Sequence, residues 1–298
     1  RLPMKDKIFT GSGVAIVTPF QGENLEQVDY DTLGRLIEFQ IREGTDALII
    51  CGTTGEASTM PDEEHLSVIE YAVKTAAGRV PVIAGTGSND TNHAIRLSQK
   101  AEALGADALL SVTPYYNKTT QAGLYEHFRI IAENVSIPII LYNVPGRTNL
   151  NLDPATLERL CKLKNINAIK ECNLLQVPEV VRRCGDDLNL YSGEDGQAYF
   201  MMAAGGLGVI SVIANVFPRF THEMIAAYLK GDPAKSWQMQ LSCLELVRAM
   251  FCEVNPIPVK EALKAVGFDA GQCRLPLVPM SEANRQKLLS AVRDFMNA

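Results

Sequence analysis

The chain has no apolar run approaching the ~18 residues needed to cross a bilayer, so no segment of it reads as a membrane span and no membrane partner is expected. It also lacks any Cys-x-x-Cys pair. Its seven cysteines (Cys51, Cys161, Cys172, Cys184, Cys243, Cys252 and Cys273) stand singly and in odd number. That pattern suits a reducing compartment better than a disulfide framework, and the expected location is the cytoplasm. Histidine is scarce: His65, His93, His127 and His222 are too far apart to form a local metal-binding pattern, and no metal is expected. There is no lysine- or arginine-rich block, and the formal net charge is -6. A nucleic-acid partner or an anionic-membrane surface is therefore not expected. The opening residues Arg1-Leu2-Pro3-Met4-Lys5-Asp6-Lys7 lack the apolar stretch of a signal peptide, and Arg1 to Pro3 read as an appended remnant ahead of Met4. Without secretion, the Asn-x-Ser/Thr triplets at Asn89, Asn117 and Asn134 carry no glycan.

What is present is a long chain of ordinary globular composition, 298 residues with 47% hydrophobic and 21% charged, able to bury a large core without staples. Short β-branched runs alternate with longer amphipathic segments. The spacing predicts strands at Gly13–Val17, Ala47–Cys51, Pro81–Ala84, Ala108–Val112, Pro138–Tyr142, Ile166–Ile169, Leu188–Tyr191 and Gly208–Ser211. These are too short for buried helices and are rich in Val and Ile, as strands buried on both faces should be. Helical patterns fill the gaps at Val28–Glu43, Asp62–Ala77, Thr91–Leu104, Ala122–Glu133, Pro154–Leu163, Val177–Arg183, Gln197–Ala204 and Pro218–Lys230. Eight strand-then-helix units predict an α/β protein, a closed (β/α)8 TIM barrel over 4–231. An open doubly wound sheet would place a glycine-rich dinucleotide turn after the first strand, and Thr18-Pro19-Phe20-Gln21-Gly22 is no such turn. Residues 232–298 read as a C-terminal segment of three helices, Ala234–Glu253, Pro258–Val266 and Glu282–Met296.

In a barrel the chemistry collects at the carboxyl ends of the strands, so those ends are the place to look. The sixth run delivers Lys170 there. A lysine on a core strand either reaches solvent, finds a counter-charge or loses its proton, and a neutral amine is a nucleophile toward ketones. The fifth run supplies Tyr142 and then Arg147, whose planar fork suits a carboxylate as readily as it suits solvent. Gly52-Thr53-Thr54-Gly55-Glu56 is either a plain turn or one that aims N–H groups and hydroxyls at an anion, with Glu56 accepting hydrogen bonds from the turn. Gly85-Thr86-Gly87 reads as a strand-to-helix turn, and at least one of Tyr115 and Tyr116 reads as a packing aromatic.

Gly52-Thr53-Thr54-Gly55-Glu56, Tyr115-Tyr116-Asn117-Lys118, Tyr142 through Thr148, Ile169-Lys170-Glu171, Gly208-Val209-Ile210-Ser211 and Asn255-Pro256-Ile257-Pro258-Val259-Lys260 occur together and in order. In this the chain resembles the dihydrodipicolinate synthase family of pyruvate-dependent class I aldolases, from about residue 8 to the end. The resemblance implies an enzyme that condenses pyruvate with L-aspartate 4-semialdehyde in lysine and diaminopimelate biosynthesis. It implies a covalent imine on Lys170 and no cofactor. Tyr142, Thr54 and Tyr116 match the proton relay, with Tyr116 entering from a neighbouring subunit, which implies a homodimer or a homotetramer built as a dimer of dimers. Thr53 and Thr54 match the residues holding the pyruvate carboxylate, and Arg147 matches the residue holding that of the semialdehyde. Gly193 and Ile210 match positions that line the pocket. A lysine-effector site would fall on Ser58, His65, Asn89, His93 and Tyr115, with His93 standing where an acid would hold the effector's amine. That exchange predicts weak or absent feedback.

The chain departs from the pattern after Lys170-Glu171, where Cys172-Asn173-Leu174-Leu175 replaces an Ala and a Ser/Thr-Gly pair, and Thr119 replaces a common proline. Another pyruvate aldolase, such as N-acetylneuraminate lyase or a sugar-acid aldolase, would share Lys170 and Tyr142, and Arg147 argues against it. A pyruvate-binding sensor is the non-enzymatic alternative, against which intact Lys170, Tyr142 and Thr54 count.

Overall fold

Runs of Val, Ile, Leu and Ala form eight parallel strands in the computed structural model, which describes residues 5–298; Arg1 to Pro3, read above as an appended remnant, and Met4 lie outside the described residues. The strands are β1 (Gly11–Ala15), β2 (Ala47–Ile50), β3 (Val82–Gly85), β4 (Ala108–Val112), β5 (Ile139–Asn143), β6 (Ile166–Glu171), β7 (Asn189–Ser192) and β8 (Gly208–Ser211). Each pairs with the next, and β1 pairs with β8 to close the barrel, with Gly11 opposite Gly208. Closure depends on the missing side chain there, because a Cβ on Gly208 would collide with the Gly11 carbonyl.

Alternation along each strand sorts the two faces. Ile140 and Tyr142 of β5 and Ala168 of β6 belong to the cluster inside the barrel, while Leu141 and Ile169 pack outward in the layer shared with the helices. The same alternation turns Lys170 inward at the carboxyl end of β6 and Glu171 outward. Lower in the barrel, Phe9 stacks on Tyr191 with centroids 4.3 Å apart, and the Tyr191 hydroxyl donates to the Phe9 carbonyl at 2.7 Å. That packing fills the interior and leaves open space toward the carboxyl end.

A helix follows each strand, as the amphipathic spacing predicts, and seven of these connections return the chain to the next strand. The first, Tyr30–Arg42, buries Leu33, Leu36, Ile37 and Gln40 along one stripe and is capped by Asp29, which accepts from Thr32 N. It begins two residues later than the pattern suggests, because Gln27–Val28 pairs antiparallel with Phe20–Gln21. The expected tail helix Ala234–Glu253 is instead two, Pro233–Ser242 and Leu244–Met250. Ser242 Oγ and Cys243 Sγ donate back to the carbonyls of Met239 and Gln240, an alternative to helix continuation that neither proline nor glycine announces. Helices Ile257–Leu263 and Glu282–Asn297 complete the tail. No helix among the described residues is long and apolar enough to cross a membrane.

The tail is clamped onto the turn after β2. Lys260 Nζ pairs with Glu56 at 2.6 Å, both almost fully buried, and Arg274 N donates to the other Glu56 oxygen at 2.9 Å. Arg274 also grips both Glu64 oxygens, at 2.6 and 2.8 Å. Glu56 is therefore structural, with partners from the far end of the chain rather than from its own turn.

Candidate active site

A cavity of about 60 Å³ opens at the carboxyl ends of the strands, with Lys170, Tyr142, Thr53, Thr54, Arg147 and Gly193 in its wall. Lys170 is 8% exposed and forms no ion pair among the described residues. The other buried lysine, Lys260, has its carboxylate; Lys170 has instead the face of Tyr142, with Nζ 4.0 Å from the ring centroid. Burial pushes the Lys170 pKa down, Cys172, Glu194 and Asp195 partly restore it, and Arg147 opposes them. The outcome is an amine that reaches its neutral, nucleophilic form below the usual lysine range. Burial raises the Tyr142 phenol, keeping it protonated and able to donate.

The strand carrying Lys170 is braced from behind. Glu171 accepts from Asn143 Nδ2 at 2.8 Å, from Asn173 N at 2.7 Å and from Gln176 Nε2 at 2.9 Å. Burial pushes its carboxyl up to about 7, against the pull of these donors. Asn173 belongs to the segment that departs from the expected sequence and Gln176 follows it directly, so that segment shares in the brace. Cys172 faces the cavity with its thiol pushed up to about 12 by burial, and it lies so close to Gly193 that a Cβ there would collide with Sγ.

On the opposite wall, the turn after β2 holds two threonines in different settings. Thr54 is buried, and its Oγ1 accepts from Asn255 Nδ2 at 2.9 Å. Thr53 is exposed and lines both this cavity and a larger one. The N–H groups of Thr53 and Thr54 donate to no backbone acceptor among the described residues, leaving them free for an anion. Arg147 rides on a single helical turn, Pro145–Thr148, after β5. Its Nη2 reaches the Asn255 carbonyl at 3.5 Å, and it has no carboxylate partner among the described residues. A free guanidinium at the rim suits a second carboxylate.

Two expected residues lie elsewhere. Ile210 is buried in the inner barrel cluster opposite Gly13, and Val212 takes the cavity wall two residues on. Tyr116 is 92% exposed and lines neither cavity. Its φ of +67° is costly for an aromatic residue, so the loop holds the ring outward against its backbone preference.

The larger cavity, about 550 Å³, gathers Ser58, His65, His93 and Tyr115, and Asn89 Nδ2 donates to the Tyr115 carbonyl beside it. His65 is engaged with the Gly85 carbonyl at 2.7 Å. His93 pairs with Asp62 at 2.8 Å, and Asp62 also lines the cavity. An acid therefore stands beside His93, contributed by the start of another helix. Among the described residues no group of three or more His, Cys, Asp or Glu side chains is placed to hold a metal.

Sequence reasoning gives no role to Asn255, Asp62 or Glu194. Asn255 opens the Asn255–Lys260 motif and Glu194 follows Gly193, yet what they touch depends on contacts across the barrel, which no local pattern reports.

The family model of the dihydrodipicolinate synthetase family matches residues 8–294. The 4-hydroxy-tetrahydrodipicolinate synthase of Acetivibrio thermocellus is 58% identical over 292 residues, covering 98% of this chain and 99% of that protein. The crystal structure of dihydrodipicolinate synthase from Aquifex aeolicus superposes with a TM-score of 0.93 at 46% identity, covering 97% of this chain and 98% of that one. The enzyme from Acinetobacter baumannii, solved in complex with pyruvate, superposes with a TM-score of 0.93 at 43% identity, covering 96% and 99%.

Proposed function

The chain belongs to the dihydrodipicolinate synthetase family, and from that premise we propose how its residues divide the reaction. The reaction is the condensation of pyruvate with L-aspartate 4-semialdehyde to 4-hydroxy-tetrahydrodipicolinate, in lysine and diaminopimelate biosynthesis. It runs through a lysine imine without an external cofactor. The observation that carries the assignment is Lys170: buried, without an ion pair among the described residues, and lying over Tyr142.

Pyruvate's carboxylate takes the free N–H groups of Thr53 and Thr54, placing its ketone against Lys170. Nucleophilic addition of the neutral amine and loss of water give the imine, with Tyr142 shuttling the proton. Loss of a methyl proton gives the enamine, which attacks the aldehyde. Arg147 holds the carboxylate of the semialdehyde, and the substrate's amine then displaces Lys170 as the ring closes. Asn255 already occupies the Thr54 oxygen, whereas Thr53 joins the two cavities. We therefore assign the relay hydroxyl to Thr53 and the carboxylate-holding turn to Thr54. Tyr116 completes the relay from a partner subunit, so a homodimer is the smallest complete unit, with a homotetramer as its pairing. The free cysteines suit a cytoplasmic setting.

Asn255→Ala is expected to release Thr54 and raise KM for pyruvate by about 10-fold, the loss of one buried hydrogen bond. Initial rates against pyruvate check this, and an unchanged KM removes Asn255 from the account. In the larger cavity Asp62 is already paired with His93, so an effector ammonium must displace that imidazole. L-lysine is expected to inhibit weakly, and half-inhibition below about 1 mM, a binding free energy near -4 kcal/mol, would contradict this.

A further inference from the structure

One carboxylate in the cavity is left over by the steps above. Glu194 follows Gly193 at the end of β7 and is the sole acid among the residues lining the catalytic cavity. Its neighbour Asp195 is fully engaged, accepting from Ser211 Oγ at 2.5 Å, Val212 N at 2.9 Å and Ile213 N at 3.0 Å, and so fixes the loop leaving β8. Glu194 has no such engagement. It forms no ion pair, and its carboxylate accepts no hydrogen bond among the described residues; only its backbone meets Ser192 Oγ. The two adjacent acids therefore do different work, one holding the fold and one facing the space where the substrates meet.

The chemistry of the second substrate supplies a partner. Aspartate semialdehyde carries a carboxylate and an ammonium on the same carbon. Arg147 answers the first, while the hydroxyls of Thr53 and Tyr142, the Lys170 nitrogen and the Arg147 guanidinium offer nothing anionic to the second. We infer that Glu194 recognises the α-ammonium of the aldehyde substrate and so makes the site selective for amino aldehydes. This rests on the placement of the semialdehyde beside Arg147 argued above. Burial holds the Glu194 carboxyl above the usual range, and the nearby Lys170 and Arg147 charges lower it again, as suits an acid that is satisfied only when a cation arrives. An aldehyde of the same length without the amine would draw nothing from it.

The test compares wild type with Glu194→Gln, which keeps the shape and removes the charge, and Glu194→Asp, which keeps the charge on a shorter arm. Three readouts are needed: borohydride trapping of pyruvate on Lys170, kcat/KM for aspartate semialdehyde at saturating pyruvate, and the inhibition constant of succinate semialdehyde, the deaminated analogue. The expected result for Glu194→Gln is wild-type trapping, a fall of about 10–100-fold in kcat/KM for the amino aldehyde, and an inhibition constant within about 3-fold of wild type. Glu194→Asp should recover part of the loss. The inference is overturned if both aldehydes weaken equally, if neither does, or if Glu194→Gln loses pyruvate trapping while wild type keeps it, which would mean that Glu194 serves Lys170. Failure of trapping in the wild type would instead sink the imine assignment itself.

Discussion

Replacing Lys170 with alanine is expected to lower kcat by about 10⁴-fold or more, the scale seen when a covalent nucleophile is removed from an otherwise intact site. The physical reason is the contrast between two buried lysines. Lys260 is compensated by Glu56 at 2.6 Å, so its charge is part of the tail's anchorage. Lys170 is as hidden but meets an aromatic face, and burial is the largest influence on its proton affinity. Such an arrangement is costly for an ammonium and tolerable for an amine. The Lys170→Ala protein should fold normally, since it loses a buried amine that forms no ion pair and keeps the Glu171 brace on the outer face of β6. Steady-state rates with both substrates, beside a far-ultraviolet circular dichroism spectrum, check the prediction. Activity within 10-fold of wild type would remove Lys170 from the chemistry.

Tyr116→Phe should lower kcat by about 10²–10⁴-fold through loss of one proton-transferring hydroxyl, although the side chain touches almost nothing in its own subunit. The protomer's stability should not change. A mixing experiment separates a residue working across an interface from one working at home. Each of Tyr116→Phe and Lys170→Ala is inactive alone. In a mixed dimer, the subunit with an intact Lys170 receives the intact Tyr116 of its partner, so one site is complete. Random re-association of equal amounts should restore about a quarter of wild-type activity, as expected for two-fold pairing. No recovery after dissociation and mixing would place Tyr116 outside the partner's site.

Much of this was legible before folding. Eight short apolar runs separated by 3.6-period segments leave few architectures open, and β6 lies where the spacing predicts, longer by the two residues that include Lys170 itself. The hairpin Phe20–Gln21 with Gln27–Val28 escaped because two-residue strands carry no readable period. Within the site, Lys170, Tyr142, Arg147, Thr53 and Thr54 line one cavity, as their places at or just after strand ends suggest. Asn255 has no such local sign, because its partner Thr54 is 201 residues away and reaches it only once the tail is clamped over the barrel. At the end of β8 the Ile210 side chain packs into the inner cluster, and the side chain in the cavity wall is that of Val212. Asp62 is an acid in the first turn of the helix Asp62–Ala76, a place that needs no further explanation, and it meets His93 only when two helices lie side by side.

The central claim is that Lys170 holds pyruvate covalently, and one measurement meets it directly. The protein is incubated with pyruvate, reduced with borohydride, digested and read by peptide mass spectrometry. The account predicts a single reduced pyruvyl adduct on the peptide containing Lys170, absent when either pyruvate or borohydride is omitted. Folded protein that yields no adduct, or carries it on a different lysine, would contradict it.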